Sequence, residues 1–206
     1  MAMSFICTTR APISVLTIFL LFSIRTSSFV QHEVISDPNT DFIKASCKET
    51  LYPAICFKTL SAYAVSVNSS STALANVALN MSLKGARSTS KTVLNLSRTH
   101  SLDPREASAI SDCVETIGDS VDELQQSLVE MKDLEGPDFQ MKMSNILTWV
   151  SAALTNENTC MEGFDVRAMD VKIKSKIRKC VVYVAQLTSN ALALINRLST
   201  ASVYSP

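Results

Sequence analysis

The chain has 206 residues, with 19 Lys and Arg against 19 Asp and Glu. This balance lacks the basic excess that marks nucleic-acid binding, and two histidines with no CxxC pair offer neither a hydrolase triad nor a zinc cluster. Only four Gly and six Pro interrupt the chain, which favours long helices over many short strands.

Near the N-terminus, Arg10 precedes a mainly apolar run at residues 11–24 that contains Val15, Leu16, Ile18, Phe19, Leu20, Leu21 and Phe22. The run has the length of a signal-peptide core and falls short of the roughly 20 apolar residues a membrane span needs. Small residues follow at Thr26, Ser27 and Ser28. Residues 1–28 are therefore read as a signal peptide, with an uncleaved signal anchor as the alternative. Losing Arg10 and Arg25 leaves a mature charge of −2. No later segment has the apolar length of a bilayer span, so no membrane contact is expected after cleavage.

Secretion sets how the cysteines read. Cys7 goes with the signal, leaving Cys47, Cys56, Cys113, Cys160 and Cys180. In an oxidising compartment four would pair and one would stay free. Three sequons agree with that route: Asn68-Ser69-Ser70, Asn80-Met81-Ser82 and Asn95-Leu96-Ser97. No phosphate loop or dinucleotide fingerprint is present, and no cofactor or metal is expected.

Residues 29–40 carry Pro38 and read as an extended lead-in. One folded domain is expected over 41–199, with a hairpin at about 41–63 and a bundle at about 72–198, leaving 200–206 as a tail. In the hairpin, two short helices meeting at a turn near Pro53 would bring Cys47 and Cys56 together. A bridge there would staple a unit too short to be stable alone.

The polar patch Asn68-Ser69-Ser70-Ser71 separates the hairpin from the first long helix, at about 72–96. Leu74, Val77 and Met81 mark its inner stripe, continued by small residues at Gly85 and Ser88 that let a neighbouring helix come close. The second long helix opens on Asp103-Pro104-Arg105-Glu106, an Asp version of the capping box with Pro in the first turn. Ala107, Ile110, Val114, Ile117, Val121, Leu124, Leu128 and Met131 then alternate steps of three and four, and Gly136-Pro137 breaks the pattern.

A third helix is predicted at about 138–160, ended by Gly163, with Met143, Ile146, Val150 and Ala153 inside and Trp149 as the only tryptophan. The fourth, at about 170–198, buries Ile173, Ile177, Val181, Val184, Leu187, Ala191, Leu194 and Leu198. Four such helices with short connections pack as an all-α up-down-up-down bundle. Antiparallel neighbours would bring Cys113, near the start of the second helix, to Cys160, at the end of the third. That bridge is worth roughly 4 kcal/mol on the chain-entropy model. Cys180 lies beside the core stripe and is read as a buried, inert thiol.

Two charged patterns stand outside the core. Asp112, Glu115, Asp119 and Asp122 recur at steps of three and four, forming one acidic stripe on the second helix. Lys172, Lys174, Lys176, Arg178 and Lys179 cluster at the start of the fourth. Taken alone, either pattern is ordinarily a solvated face; the functional readings are contact with a partner protein for the first and with an anionic polymer or an acidic surface for the second.

The residues resemble the plant invertase and pectin methylesterase inhibitor family. The resemblance covers about 42–198 and rests on the Cys47/Cys56 hairpin, the Cys113 to Cys160 spacing, and two stretches. These are Leu147-Thr148-Trp149-Val150-Ser151-Ala152-Ala153-Leu154-Thr155-Asn156-Glu157-Asn158-Thr159-Cys160 and Val184-Ala185-Gln186-Leu187-Thr188-Ser189-Asn190-Ala191-Leu192-Ala193-Leu194. The pattern is most similar to the pectin methylesterase inhibitor branch, including members called 21 kDa proteins.

The resemblance implies a four-helix bundle behind an α-hairpin, without catalytic residues, secreted to the plant cell wall. It implies a 1:1 complex that covers the pectin-binding cleft of a pectin methylesterase. By position relative to the cysteines, the family's contacts fall on Glu115, Asp119, Asp122 and Thr159, with an approximate acidic match at Glu162. Larger relatives carry this domain ahead of an esterase domain, whereas this chain ends at Pro206 and is expected to act alone.

Two alternatives stay open. Invertase inhibitors of the family carry Pro-Lys-Phe between the second and third long helices, where this chain has Pro137-Asp138-Phe139. Replacing a cation by an anion reverses that contact's electrostatics and favours the esterase as target. The other alternative is a wall module that holds pectin directly through residues 172–179.

Overall fold

The computed structural model describes residues 37–99, 102–134, 136–165 and 170–203. The signal peptide read at 1–28, the lead-in up to residue 36 and the last three tail residues lie outside them. The described residues are helical, with no strand among them.

The N-terminal hairpin consists of α1 (Pro38–Lys48) and α2 (Pro53–Leu60). The Asp37 side chain caps α1, accepting from the backbone N–H of Asn39 and Thr40 at 3.3 and 3.1 Å, with Pro38 following at the first helical position. The helix thus begins inside the stretch read as extended, because an Asp-Pro pair is a start signal. The Cys47–Cys56 disulfide joins the two helices.

Asn190 ties the hairpin's turn to the last helix. Its Oδ1 accepts from Tyr52 N–H and its Nδ2 donates to Tyr52 C=O, both at 3.0 Å. A 3₁₀ turn (Ser61–Tyr63) and the short α3 (Ala64–Val67) follow. Asn68 closes α3 in the left-handed region, at φ 46°.

Four long helices form the bundle: α4 (Ser71–Thr99), α5 (Pro104–Met131), α6 (Phe139–Asp165) and α7 (Val171–Val203). Each packs on two neighbours in the cycle α4, α5, α6, α7 and back to α4. The capping box is complete. Asp103 Oδ1 accepts from Arg105 and Glu106 N–H, and Glu106 Oε2 accepts from Asp103 N–H at 3.1 Å. The other oxygen of Glu106 accepts from Asp170 N–H at 2.7 Å, tying the start of α5 to the start of α7. Asp170 in turn caps α7 through Lys172 and Ile173 N–H.

The inner stripes predicted for α6 and α7 are buried, apart from half-buried Leu198. On α5 the row shifts. Ala107 is exposed, Val114 and Val121 are half-buried, and Ala109, Cys113, Ser120 and Ser127 take deeper places. A helix with two bundle neighbours buries a wide face, and small residues sit where those neighbours approach. On α4, Val77 and Met81 are half-buried and Ser88 is exposed. Gly85 is the true close approach, since a Cβ there would stand 3.2 Å from Leu187 Cδ1 and 3.3 Å from Val184 Cγ2.

Gly163 does not end its helix. Phe164, which is buried, is driven into the core and holds the last turn of α6, outweighing the roughly 1 kcal/mol that a helical Gly costs. At its C-terminus α7 continues to Val203, through residues assigned to the tail. Cys180 is free but half-buried rather than buried, on the flank of α7 that meets α4, where its carbonyl accepts from Thr89 Oγ1 at 3.4 Å.

Candidate functional site

The α5–α6 pair is the most firmly joined in the bundle. Cys113–Cys160 pins it covalently at one end. At the other, Lys142 Nζ donates to the carbonyl of Asp133 at 2.6 Å and to its carboxylate at 2.7 Å. Gly136, at φ +94°, supplies the left-handed step in the connection, and half-buried Phe139 packs on the core while Pro137 and Asp138 stay exposed.

Between these ends runs a polar seam. Asn156 Nδ2 donates to Glu123 Oε2 at 3.1 Å, and Asn145 Nδ2 reaches Glu130 Oε1 at 3.4 Å. Partial burial raises the Glu123 pKa above the usual carboxylate range; the Asn156 amide opposes this, and Asp119 and Asp122 reinforce it.

Beneath the seam lies Glu157, with 0 % of its surface exposed. Its Oε1 accepts from Ser120 Oγ of α5 at 2.8 Å and from Thr188 Oγ1 of α7 at 3.0 Å, so one carboxyl connects three helices. Its Oε2 has no hydrogen-bond partner among the described residues. Burial pushes the Glu157 carboxyl up to about 7, the two hydroxyls pull it down, and the Glu123 carboxylate adds to the rise. The core divides here. Ser120 falls between Ile117 and Leu124, and Glu157 between Ala153 and Cys160, which belong to separate apolar clusters.

The five positions singled out from the sequence are all exposed: Glu115, Asp119 and Asp122 on α5, Thr159 and Glu162 on α6. They form two rows, one on each side of the seam. Asp119 stands one turn before Glu123 and Thr159 one turn after Asn156, so these two adjoin it directly. Glu115 precedes Asp119 by a turn, Asp122 lies further from the seam, and Glu162 continues the Thr159 row. Thr159 Oγ1 donates to the Thr155 carbonyl at 2.9 Å, which fixes its rotamer and leaves its lone pairs outward. The face offers carboxylate acceptors, a hydroxyl and an amide, a set suited to recognising donors on a partner surface.

The sequence pattern does not single out Glu123 or Ser120, and it carries Asn156 and Glu157 only within the 147–160 stretch. A signal for Glu157 existed, because the stripe Met143, Ile146, Val150, Ala153 continues by steps of four and three through Glu157 to Cys160. The sequon asparagines Asn68, Asn80 and Asn95 are exposed. Among the described residues no cluster of His, Cys, Asp or Glu could hold a metal ion, and no helix is long and apolar enough to cross a membrane.

Comparison with known proteins agrees with this fold. A family profile described as plant invertase/pectin methylesterase inhibitor matches residues 41–194. Pectinesterase inhibitor 10 of Arabidopsis thaliana is 50% identical over 77% of this chain, which spans 51% of that protein's length. The 21 kDa protein of Daucus carota is 46% identical over 79% of this chain and 86% of its own. A crystal structure of a mutant form of a pectin methylesterase inhibitor from Arabidopsis superposes with a TM-score of 0.58. It covers 75% of this chain and 95% of that one at 22% identity, a likeness of fold. The chain belongs to the plant invertase/pectin methylesterase inhibitor family.

Proposed function

We propose that this chain is a proteinaceous inhibitor of a plant pectin methylesterase, secreted to the cell wall and acting without catalysis of its own. The observation that carries this reading is its 50% identity with a protein named as a pectinesterase inhibitor. The geometry supports it. A rigid, disulfide-pinned helix pair presents Glu115, Asp119, Asp122, Thr159 and Glu162 outward. These side chains meet donors at the rim of the enzyme's cleft in a 1:1 complex, giving charge complementarity and orientation. Salt screens these exposed charges, so binding weakens as ionic strength rises.

The invertase reading has less support here. Asp138 is exposed where that branch carries a cation, and a carboxylate meets the opposite electrostatics. Residues 1–28 direct secretion in this reading, and glycans at Asn68, Asn80 and Asn95 would lie on exposed positions.

The test is a parallel assay of the oxidised protein against a plant pectin methylesterase and an acid invertase. Inhibition of the esterase alone is expected. Inhibition of the invertase alone would overturn the assignment and move the contact surface to the 136–139 connection.

A further inference from the structure

The bundle separates its charge by helix pair. Helices α4 and α7, which pack on each other, carry ten Lys and Arg and no Asp or Glu. Helices α5 and α6 carry two basic residues and ten acidic ones. Since the four helices form a cycle, the basic pair backs onto the acidic pair and faces the opposite way. The net charge near zero conceals a molecule with two oppositely charged sides.

The basic side is most concentrated on α7. Lys172, Lys176, Lys179 and Tyr183 follow at steps of four, three and four, so they form one row, and all four are exposed. Tyr183 keeps 46% of its surface in solvent. A shallow depression of about 770 Å³ lies along this helix, lined by Arg178, Lys179, Tyr183 and Gln186 among others. The row spans about 16 Å at 1.5 Å per residue.

This arrangement works against the helix that carries it. Lys172 lies in the first turn, at the positive end of the helix dipole. Lys172 and Lys176 are like charges one turn apart. Lys172, Lys176 and Lys179 make no ion pair among the described residues. No sequon falls on α7, so glycans at the three candidate asparagines attach elsewhere.

We propose that the α7 row is a second binding site, for a polyuronate chain bearing free carboxylates. The identity of the ligand rests on the esterase reading. Hydrolysis of a methyl ester leaves a carboxylate on each uronate, so the enzyme's product is a polyanion at the place where the inhibitor acts. The lysines meet the carboxylates, the exposed ring of Tyr183 receives a sugar face, and Gln186 offers an amide to sugar hydroxyls. The acidic side can hold the enzyme while the basic side holds the matrix, because the two surfaces belong to opposite helix pairs.

The test is co-sedimentation of the oxidised secreted protein with polygalacturonate, with highly methyl-esterified pectin, and with polyaspartate as a charge control. Wild type should bind polygalacturonate in a salt-sensitive way and the esterified polymer weakly. Lys172→Gln, Lys176→Gln and Lys179→Gln together should weaken that binding about tenfold, on the strength of three exposed ion pairs. The same variant should inhibit the esterase as wild type does, and Tyr183→Ala should reduce uronate binding while sparing polyaspartate. Absence of polygalacturonate binding by folded wild type, or equal binding by the triple variant, would overturn the site. Equal affinity for polyaspartate would overturn its assignment to uronate. Failure of the esterase reading shows separately, as loss of wild-type inhibition in the absence of any polymer.

Discussion

Glu157→Gln separates the burial of this side chain from its titration. The amide keeps the volume, and its oxygen can still accept from Ser120 Oγ and Thr188 Oγ1. In the wild-type fold the carboxyl is raised from 4.5 to about 7, chiefly by burial. The folded state therefore retains a proton that the unfolded chain has already released. Below about pH 4.5 both states are protonated and the group imposes no penalty; above about pH 7 both are ionised and the penalty is complete.

Stability falls as pH rises through that window, by about 3 kcal/mol. For a domain of this size that is about 6–12 °C in Tm. The Gln variant lacks this slope. Its amide nitrogen takes the place of the unpartnered Oε2 and adds a cost of about 1–3 kcal/mol that does not vary with pH. Thermal unfolding followed by circular dichroism, from about pH 4 to about pH 8, compares the two proteins under identical screening of every other group. The expected result is a wild-type Tm that declines relative to the variant across the window. Curves that stay parallel would refute the reasoning.

Replacing both Cys113 and Cys160 by Ser should destabilise the bundle by about 4 kcal/mol, read from denaturant unfolding; an unchanged midpoint would mean the bridge contributes nothing. Asn190→Leu removes two 3.0 Å hydrogen bonds and strands the Tyr52 backbone groups, so a loss of about 2 kcal/mol is expected, with faster amide exchange at Tyr52. Gly85→Val places atoms within 3.2 to 3.3 Å of Leu187 and Val184 and should lower stability by about 1–3 kcal/mol through forced separation of α4 and α7. A Tm equal to wild type would show that the pair relaxes freely.

Much of this fold is written in local chemistry. The Asp103 to Glu106 capping box and the three-and-four spacing on α5, α6 and α7 each act within a turn or two, so they could be read before any packing was known. The Cys113–Cys160 bridge followed from helix direction alone. Long-range polar links were hidden. Asn190 meets Tyr52 across 138 positions, and Glu106 meets Asp170 across 64. No periodicity announces such pairs.

Gly163 has the local character of a breaker, but the buried Phe164 beside it holds the last turn, a tertiary effect that a local signal does not carry. On α5 Ala107 falls outside the buried face, because spacing gives a direction and not the width of that face. At the site, the exposed carboxylates could be identified from their spacing, but the seam beneath them could not. Glu123 and Glu157 owe their roles to Asn156, Ser120 and Thr188, which come from other helices.

The most direct test of the central claim is an inhibition titration of a plant pectin methylesterase with wild type and with the double variant Asp119→Lys, Asp122→Lys. Both positions are exposed and remote from the core, so helical content should be unchanged by circular dichroism. Wild type should inhibit, and the charge-reversed protein should require at least about tenfold more inhibitor for the same effect. Equal inhibition by the two proteins would contradict the assignment of the α5–α6 face as the surface that meets the enzyme.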